Sequence, residues 1–444
     1  MVADHIFQKD KYLSMNHRYL CLLLFLGGLL LNEVNAQVPT LPLMEQDSTD
    51  HIPGAGFSLA KGATATLNFS FYTTSRYLNQ MGLDDRYTDS FGREFSLNRR
   101  NDFQFQKVVF YFKGWLVNPK FRYIAYIWTA NTNIGLAASV VAAGNLQYQV
   151  SKYLDLGIGI GGLTATRSLL GQWPLWNRVD ARPMSDEFFR PSYTSGIWAQ
   201  GELANGLYYK TMLGNNLNQL GIDAGQLDDG FDTWSGALWW TTNNYGRVLS
   251  YGDFEKSEKP ATLLGASFTR SNETAQSQAG TEDPENSQIR LADGTNLFGK
   301  NAFGEGIQLQ SAKYEMSSLM TGIKYRGFSL DFEYYLRWIS KMQFANDIQP
   351  VEDLYDHGFS VQASAMLIDK TLQAFGTYSF VDGGAYGDPT EIVLGVNWYV
   401  LKNRVMRISP EVIFTDRSPV GYLSYPTLVG ASGPVFSLNL ELFY

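Results

Sequence analysis

Gly157-Ile158-Gly159-Ile160-Gly161-Gly162 carries the glycine spacing of a dinucleotide-binding turn. That chemistry needs a strand before the glycines and a helix after them, so that the first helical N–H groups can hold a pyrophosphate. Here Leu154, Leu156, Ile158 and Ile160 alternate with Asp155 and the glycines. The run reads as a strand with one small-residue face, which leaves room for a loop lying against it. Asp223, Asp228, Asp229 and Asp232 surround Gly230 and could gather calcium, but the EF-hand spacing is absent. An acidic, solvated loop is the simpler reading. No G-x-S-x-G occurs, and neither His51 nor His357 belongs to a recognisable serine–carboxylate set. The one cysteine, Cys21, lies near the amino terminus. These residues predict no enzyme, no catalytic group, no metal site and no cofactor.

The densest polar chemistry left is loop 167–191. It sets Arg167, Arg178, Arg182 and Arg190 against Asp180, Asp186 and Glu187, with Trp173 and Trp176 flanking Pro174. Charges on such a loop select ions if the loop narrows an aqueous passage. On an outer loop the same arginines would only be solvated. The elements on either side decide between the two.

Those elements are strands. Phe328, Leu330, Phe332, Tyr334, Leu336 and Trp338 alternate with Ser329, Asp331, Glu333, Tyr335 and Arg337. Side chains in a strand point alternately to opposite faces, so this segment has one apolar and one polar face. The pattern recurs at 391–401, 405–415 and 63–77, and no long segment shows helical spacing. Sixteen strands follow, at 62–77, 103–116, 120–132, 143–151, 154–166, 192–203, 206–215, 234–243, 260–270, 312–325, 328–339, 357–367, 371–380, 389–401, 405–415 and 434–444. Their connections alternate between short turns (117–119, 204–205, 326–327) and long loops (78–102, 167–191, 216–233, 271–308, 340–356, 416–433). One connection, 244–259, is too long for its side. Polar faces on many strands, short turns at one end and long loops at the other suit a barrel with lipid outside and water inside. Trp338, Tyr399, Phe443 and Tyr444 fit its interfacial aromatic girdles, and ordinary strand propensity accounts for them equally well.

Composition agrees. The 444 residues include 10 Trp, 26 Tyr and 28 Phe, but only 18% are charged, and the net charge is −8. This much apolar surface excludes disorder, one cysteine excludes a disulfide scaffold, and the acidic balance argues against nucleic-acid partners. The acidic excess sits in loops 216–233 and 271–308, so it describes one rim and not the passage. The longest apolar run, Leu20 to Leu31, falls short of the ~20 residues of a membrane helix. After Asn16-His17-Arg18 and before Asn35-Ala36-Gln37 it reads as a secretory signal peptide cut after Ala36, with Met15 as an alternative start.

Several stretches resemble the porin O/P family, the phosphate-selective porin-like barrels. Arg99-Arg100-Asn101-Asp102-Phe103 followed by Phe112-Lys113-Gly114 looks like the opening of such barrels. The segments Asp186-Glu187-Phe188-Phe189-Arg190-Pro191-Ser192-Tyr193-Thr194-Ser195-Gly196-Ile197-Trp198 and Gly214-Asn215-Asn216-Leu217-Asn218-Gln219-Leu220-Gly221 are similar to Bacteroidetes members. The resemblance spans most of 57–444. It implies a sixteen-stranded porin, usually trimeric, with the third long loop folded into the lumen. Selective members pass phosphate or polyphosphate along lumen arginines, a ladder that is not matched residue by residue here.

The expected protein is therefore all-β: a transmembrane antiparallel β-barrel of about 16 strands with a lumen-folded third loop, in the outer membrane of a Gram-negative bacterium. Residues 1–36 form a signal peptide, 37–61 an N-terminal periplasmic segment with room for one short strand, and 62–444 the barrel. Its expected partners are outer-membrane lipid, small hydrophilic solutes or ions, and further copies in a homotrimer. Its expected function is passive diffusion of those solutes, with anions such as phosphate among the candidates. Arg167, Arg178, Arg182 and Arg190 are the candidate constriction. Arg76, Lys107, Lys113, Arg122, Glu333, Arg337, Arg407 and Glu411 are the candidate lumen charges. The alternatives are a non-conducting barrel whose long loops bind a partner in adhesion or assembly, and a secreted soluble β-protein.

Overall fold

The computed structural model describes residues 54, 56–130, 139–171, 173–217, 230–243, 245, 249–275, 289–345, 350–421 and 425–444. The proposed leader and much of loops 216–233 and 271–308, including Asp223, Asp228 and Asp229, lie outside them. Sixteen antiparallel strands close one sheet: β2 (Thr66–Asn79), β5 (Asn101–Leu116), β6 (Asn118–Ala130), β7 (Ser139–Ser151), β8 (Leu154–Gly162), β9 (Tyr193–Ala204), β10 (Leu207–Gly214), β11 (Thr233–Thr241), β12 (Ala261–Thr274), β13 (Leu309–Tyr325), β14 (Phe328–Phe344), β15 (Leu354–Ile368), β16 (Leu372–Asp382), β17 (Thr390–Tyr399), β18 (Met406–Asp416) and β19 (Gly433–Phe443). The seam joins the last strand to the first, with Phe436 opposite Asn79 and Phe443 opposite Tyr72. A short strand, β1 (Phe57–Lys61), extends the sheet beside Thr66–Phe69 at the turn end. At the loop end β3 (Arg86–Thr88) and β4 (Glu94–Ser96) form a separate hairpin. Each of the sixteen expected strands is present, with ends moved by a few residues. Closure leaves the barrel wall with no open edge, the condition for backbone to cross a bilayer without a helix. Among the described residues no helix is long and apolar enough to do so.

Alternation sorts the side chains. Outside stand Phe328, Leu330, Leu264, Ile158, Leu394 and Leu440, all exposed large apolar groups that only lipid would cover. Phe436, Leu438, Leu440 and Leu442 share this face on the last strand. Tyr399 and Phe443 do not belong to a girdle. Both point inward and are buried, Tyr399 against Phe254 and Phe443 against Tyr72. The interior is also less watery than alternation alone suggests. Leu163, Met184, Phe188, Phe189, Leu297, Phe298, Tyr335 and Ile339 form an apolar core made by inward-folded loops and the wall behind them. Part of the chain's hydrophobic composition therefore lies in this inner core and not on the lipid-facing surface.

The glycine face of β8 accommodates a neighbour, and mostly not a loop. Trp198 on β9 lies opposite Gly157, and its indole spreads over Gly157 and Gly161. Only Gly162 meets the following loop, at the Leu169 carbonyl. A Cβ at Gly157 would overlap the indole. Gly157→Val should therefore cost about 1–3 kcal/mol of overpacking. It is read as a lower temperature for the heat-dependent gel-mobility shift of the folded barrel; an unchanged temperature would mean that Trp198 is free to move.

Candidate pore constriction

Loop 163–192 joins β8 to β9 at the loop end and folds into the lumen. It carries two short helices, α1 (Arg167–Leu170) and α2 (Met184–Phe189), and all but a few of its described residues are buried. An irregular segment inside a barrel must satisfy its polar backbone without water. The far wall does this. Arg407 donates to the Trp176 carbonyl at 2.8 Å and Arg76 to that of Val179 at 3.4 Å. Asn397 donates to the Asn177 carbonyl at 2.9 Å. The Met184 N–H donates to Glu391 and the Arg167 N–H to Glu333.

Charge does the rest. Arg178 Nε lies 3.0 Å from Glu411 and its Nη1 3.2 Å from Glu391, and all three side chains are fully buried. Arg167 pairs with Asp331 on β14. Lys107 on β5 meets Asp180 at 2.7 Å, while Trp173 donates to the same carboxylate and packs at a tilt against Tyr72 with centroids 4.2 Å apart. Within the loop Glu187 accepts from both Arg182 and Arg190. Burial alone would raise the Glu187 pKa; the two guanidiniums outweigh it and hold the carboxyl below its ordinary value. Buried charges of this kind persist because each has an opposite partner at contact distance.

The arginines expected at a constriction are thus inside the barrel, but as braces. All four are ion-paired. Arg182, the most exposed, keeps 12% of its side chain open and lies 4.3 Å from the Trp176 ring. Arg167 and Arg178 are enclosed in this conformation, so direct contact with a passing solute does not describe them. The eight candidate lumen charges all stand on inward faces. Arg76, Arg407 and Glu333 bind the loop, Glu411 receives Arg178, and Arg337 pairs with Asp356 at 2.7 Å across the ring of Phe188. Arg122 pairs with Asp155. Lys113 donates to the Gly54 carbonyl and is half-buried. In the sequence Asp331 and Glu391 are only polar members of an alternation, and nothing there marks Lys210 or Glu441, which pairs with Arg407 at 2.6 Å.

The loop fills the lumen unevenly. Inward side chains from β12 to β19, such as Ser267, Asp331, Gln362, Ser379 and Asn439, are buried. On the opposite wall Lys107, Lys113, Arg122, Gln147, Gln149, Gln200 and Lys210 keep part of their surface exposed. Lys107 and Arg122 are neutralised by Asp180 and Asp155. Lys113 and Lys210 bond to carbonyls of Gly54 and Gly162, with no carboxylate partner among the described residues.

No family model and no curated protein sequence matches this chain. Its fold does recur among solved structures. An anion-selective porin from Comamonas acidovorans superposes with a TM-score of 0.51 at 11% identity, over 86% of this chain and 99% of that one. OmpF of Salmonella typhi in complex with daunomycin gives 0.51 at 13%, over 87% and 100%. In vitro folded OmpT of Vibrio cholerae, an outer membrane protein in a trimer form, gives 0.50 at 13%, over 86% and 100%. At these identities the likeness is one of architecture: this chain has a porin-like fold, a closed sixteen-stranded antiparallel barrel.

Proposed function

We propose that the protein is a porin of a Gram-negative outer membrane, passing small hydrophilic solutes or ions by diffusion and performing no catalysis. The observation that carries this is the braced loop 163–192 inside a lipid-coated closed barrel, with half-exposed polar side chains left along β5 to β10. A wide barrel needs such a narrowing to select. The two lysines without carboxylates favour anions, phosphate among them, as the solutes. Membership of the porin O/P family fits the segments around Arg99, Asp186 and Gly214, and a homotrimer fits both that resemblance and the trimeric form of one structural neighbour.

The alternative of a non-conducting barrel draws on a different observation. Leu291, Leu297, Phe298 and Phe303 of the long loop before β13 pack against Phe188, Tyr335 and Ile339 near the loop-end mouth. One experiment separates the two: purified protein in planar bilayers under a KCl gradient. Steady channels with a reversal potential of anionic sign are expected. A folded barrel that never conducts would leave partner binding as the function.

A further inference from the structure

The connection at 242–260 is the one that broke the short-turn rule, and Tyr245 and residues 249–254 within it do not lie below the barrel. They enter it. Tyr245, Leu249, Tyr251 and Phe254 are buried. The Tyr245 hydroxyl donates to Asp331 at 2.8 Å, and Phe254 packs edge-on to Tyr399. The root of the segment is pinned by Asp253, which accepts from the N–H groups of Ser257 and Gly327. Lys324 on β13 donates to the Ser250 carbonyl at 2.7 Å, and Arg404 donates to that of Tyr251.

The segment reaches loop 163–192, which comes from the other mouth. Tyr251 N–H donates to the Leu175 carbonyl at 3.1 Å. Arg167 is the junction. Its guanidinium donates to the Leu249 and Ser250 carbonyls, pairs with Asp331, and lies 4.0 Å from the Tyr251 ring and 5.4 Å from that of Tyr245. A cation held between two aromatic faces, two carbonyls and a carboxylate is a strong and geometrically specific clasp.

We infer that Tyr245 and residues 249–254 belong to a second constriction element: a strap from the turn end that meets the third loop at Arg167 and, with it, sets the size limit of the passage. This rests on the channel reading but is separable from it. Two variants test it. In one, residues 244–259 are replaced by Asn-Gly, which suits a tight hairpin between β11 and β12. In the other, Tyr251→Ala removes the ring over Arg167 and leaves the backbone in place.

Single-channel conductance and swelling of liposomes in neutral sugars of increasing size are the readouts. The deletion should raise conductance about twofold or more and admit larger sugars, since flow follows pore width; Tyr251→Ala should lie between it and the parent. Should the deletion not assemble, Tyr251→Ala decides alone. Parent conductance and parent sugar limit in a variant that keeps its heat-dependent gel mobility would overturn the strap. If the parent is silent and the deletion conducts, the strap stands and the freely open porin falls. If neither conducts, both fall.

Discussion

Arg178→Ala is expected to weaken the barrel and widen its passage together. The side chain it removes is the only guanidinium within ion-pair distance of both Glu391 and Glu411 among the described residues. Both carboxylates are enclosed, so neither has bulk solvent to turn to when the arginine leaves. Breaking a buried pair from one side typically costs about 3–5 kcal/mol, because the remaining charge is stranded. Two carboxylates facing one void would also repel each other. Glu391 keeps donors from Met184 N–H and the Tyr425 hydroxyl, whereas Glu411 loses the arginine's two hydrogen bonds. The loop should therefore lift at residues 176–182, raising conductance and lowering the temperature of the gel-mobility shift. Adding Glu411→Gln to Arg178→Ala should recover part of that stability, since a neutral amide strands no charge. If the single substitution changed neither quantity, the arginine would be an ornament of the loop and not its brace.

This brace leaves no mark in the local sequence. Barrel strands announce themselves locally: lipid demands an apolar residue at every second position, and the demand is met within ten or so neighbouring residues. Residues 103–116 form a strand although their alternation is blurred where the pairing slips between Thr74 and Ser75. Inward residues answer to partners far away along the chain. Arg178 and Glu411 are 233 positions apart, and Arg76 and Val179 are 103 apart. Sequence alternation says that Glu411 faces inward, and nothing in it says that an arginine from the third loop will be there. Tyr399 and Phe443 are a different case: their aromatic character suits a girdle, but their parity, a local signal, puts them inside, against Phe254 and Tyr72. The strap left one trace, the excess length of 244–259. Its inward course depends on Tyr245 and Tyr251 finding Arg167, a contact with no local signature.

Reversing Lys113 and Lys210 together, as Lys113→Glu/Lys210→Glu, should turn the anion preference proposed for the passage into a preference for cations. The choice of these two follows from bookkeeping of charge on the half-exposed wall. Lys107 and Arg122 are already cancelled by Asp180 and Asp155, so reversing them would disturb the loop or the wall before it changed the field. Lys113 and Lys210 bond to carbonyls and have no carboxylate partner among the described residues, so each leaves a positive charge beside the passage. Double reversal shifts that wall by four charges without stranding a carboxylate. Under a KCl gradient the reversal potential should change sign, and Lys113→Gln/Lys210→Gln should bring it near zero. Ionic strength provides the second arm. Screening lengths fall from about 10 Å at 0.1 M to about 3 Å at 1 M salt, so selection by two separated lysines should fade over that range. A preference that kept its sign in the double Glu variant, or that held undiminished at 1 M salt, would locate selection elsewhere: in narrow contact with groups such as Arg182, where geometry and not a screened field does the sorting.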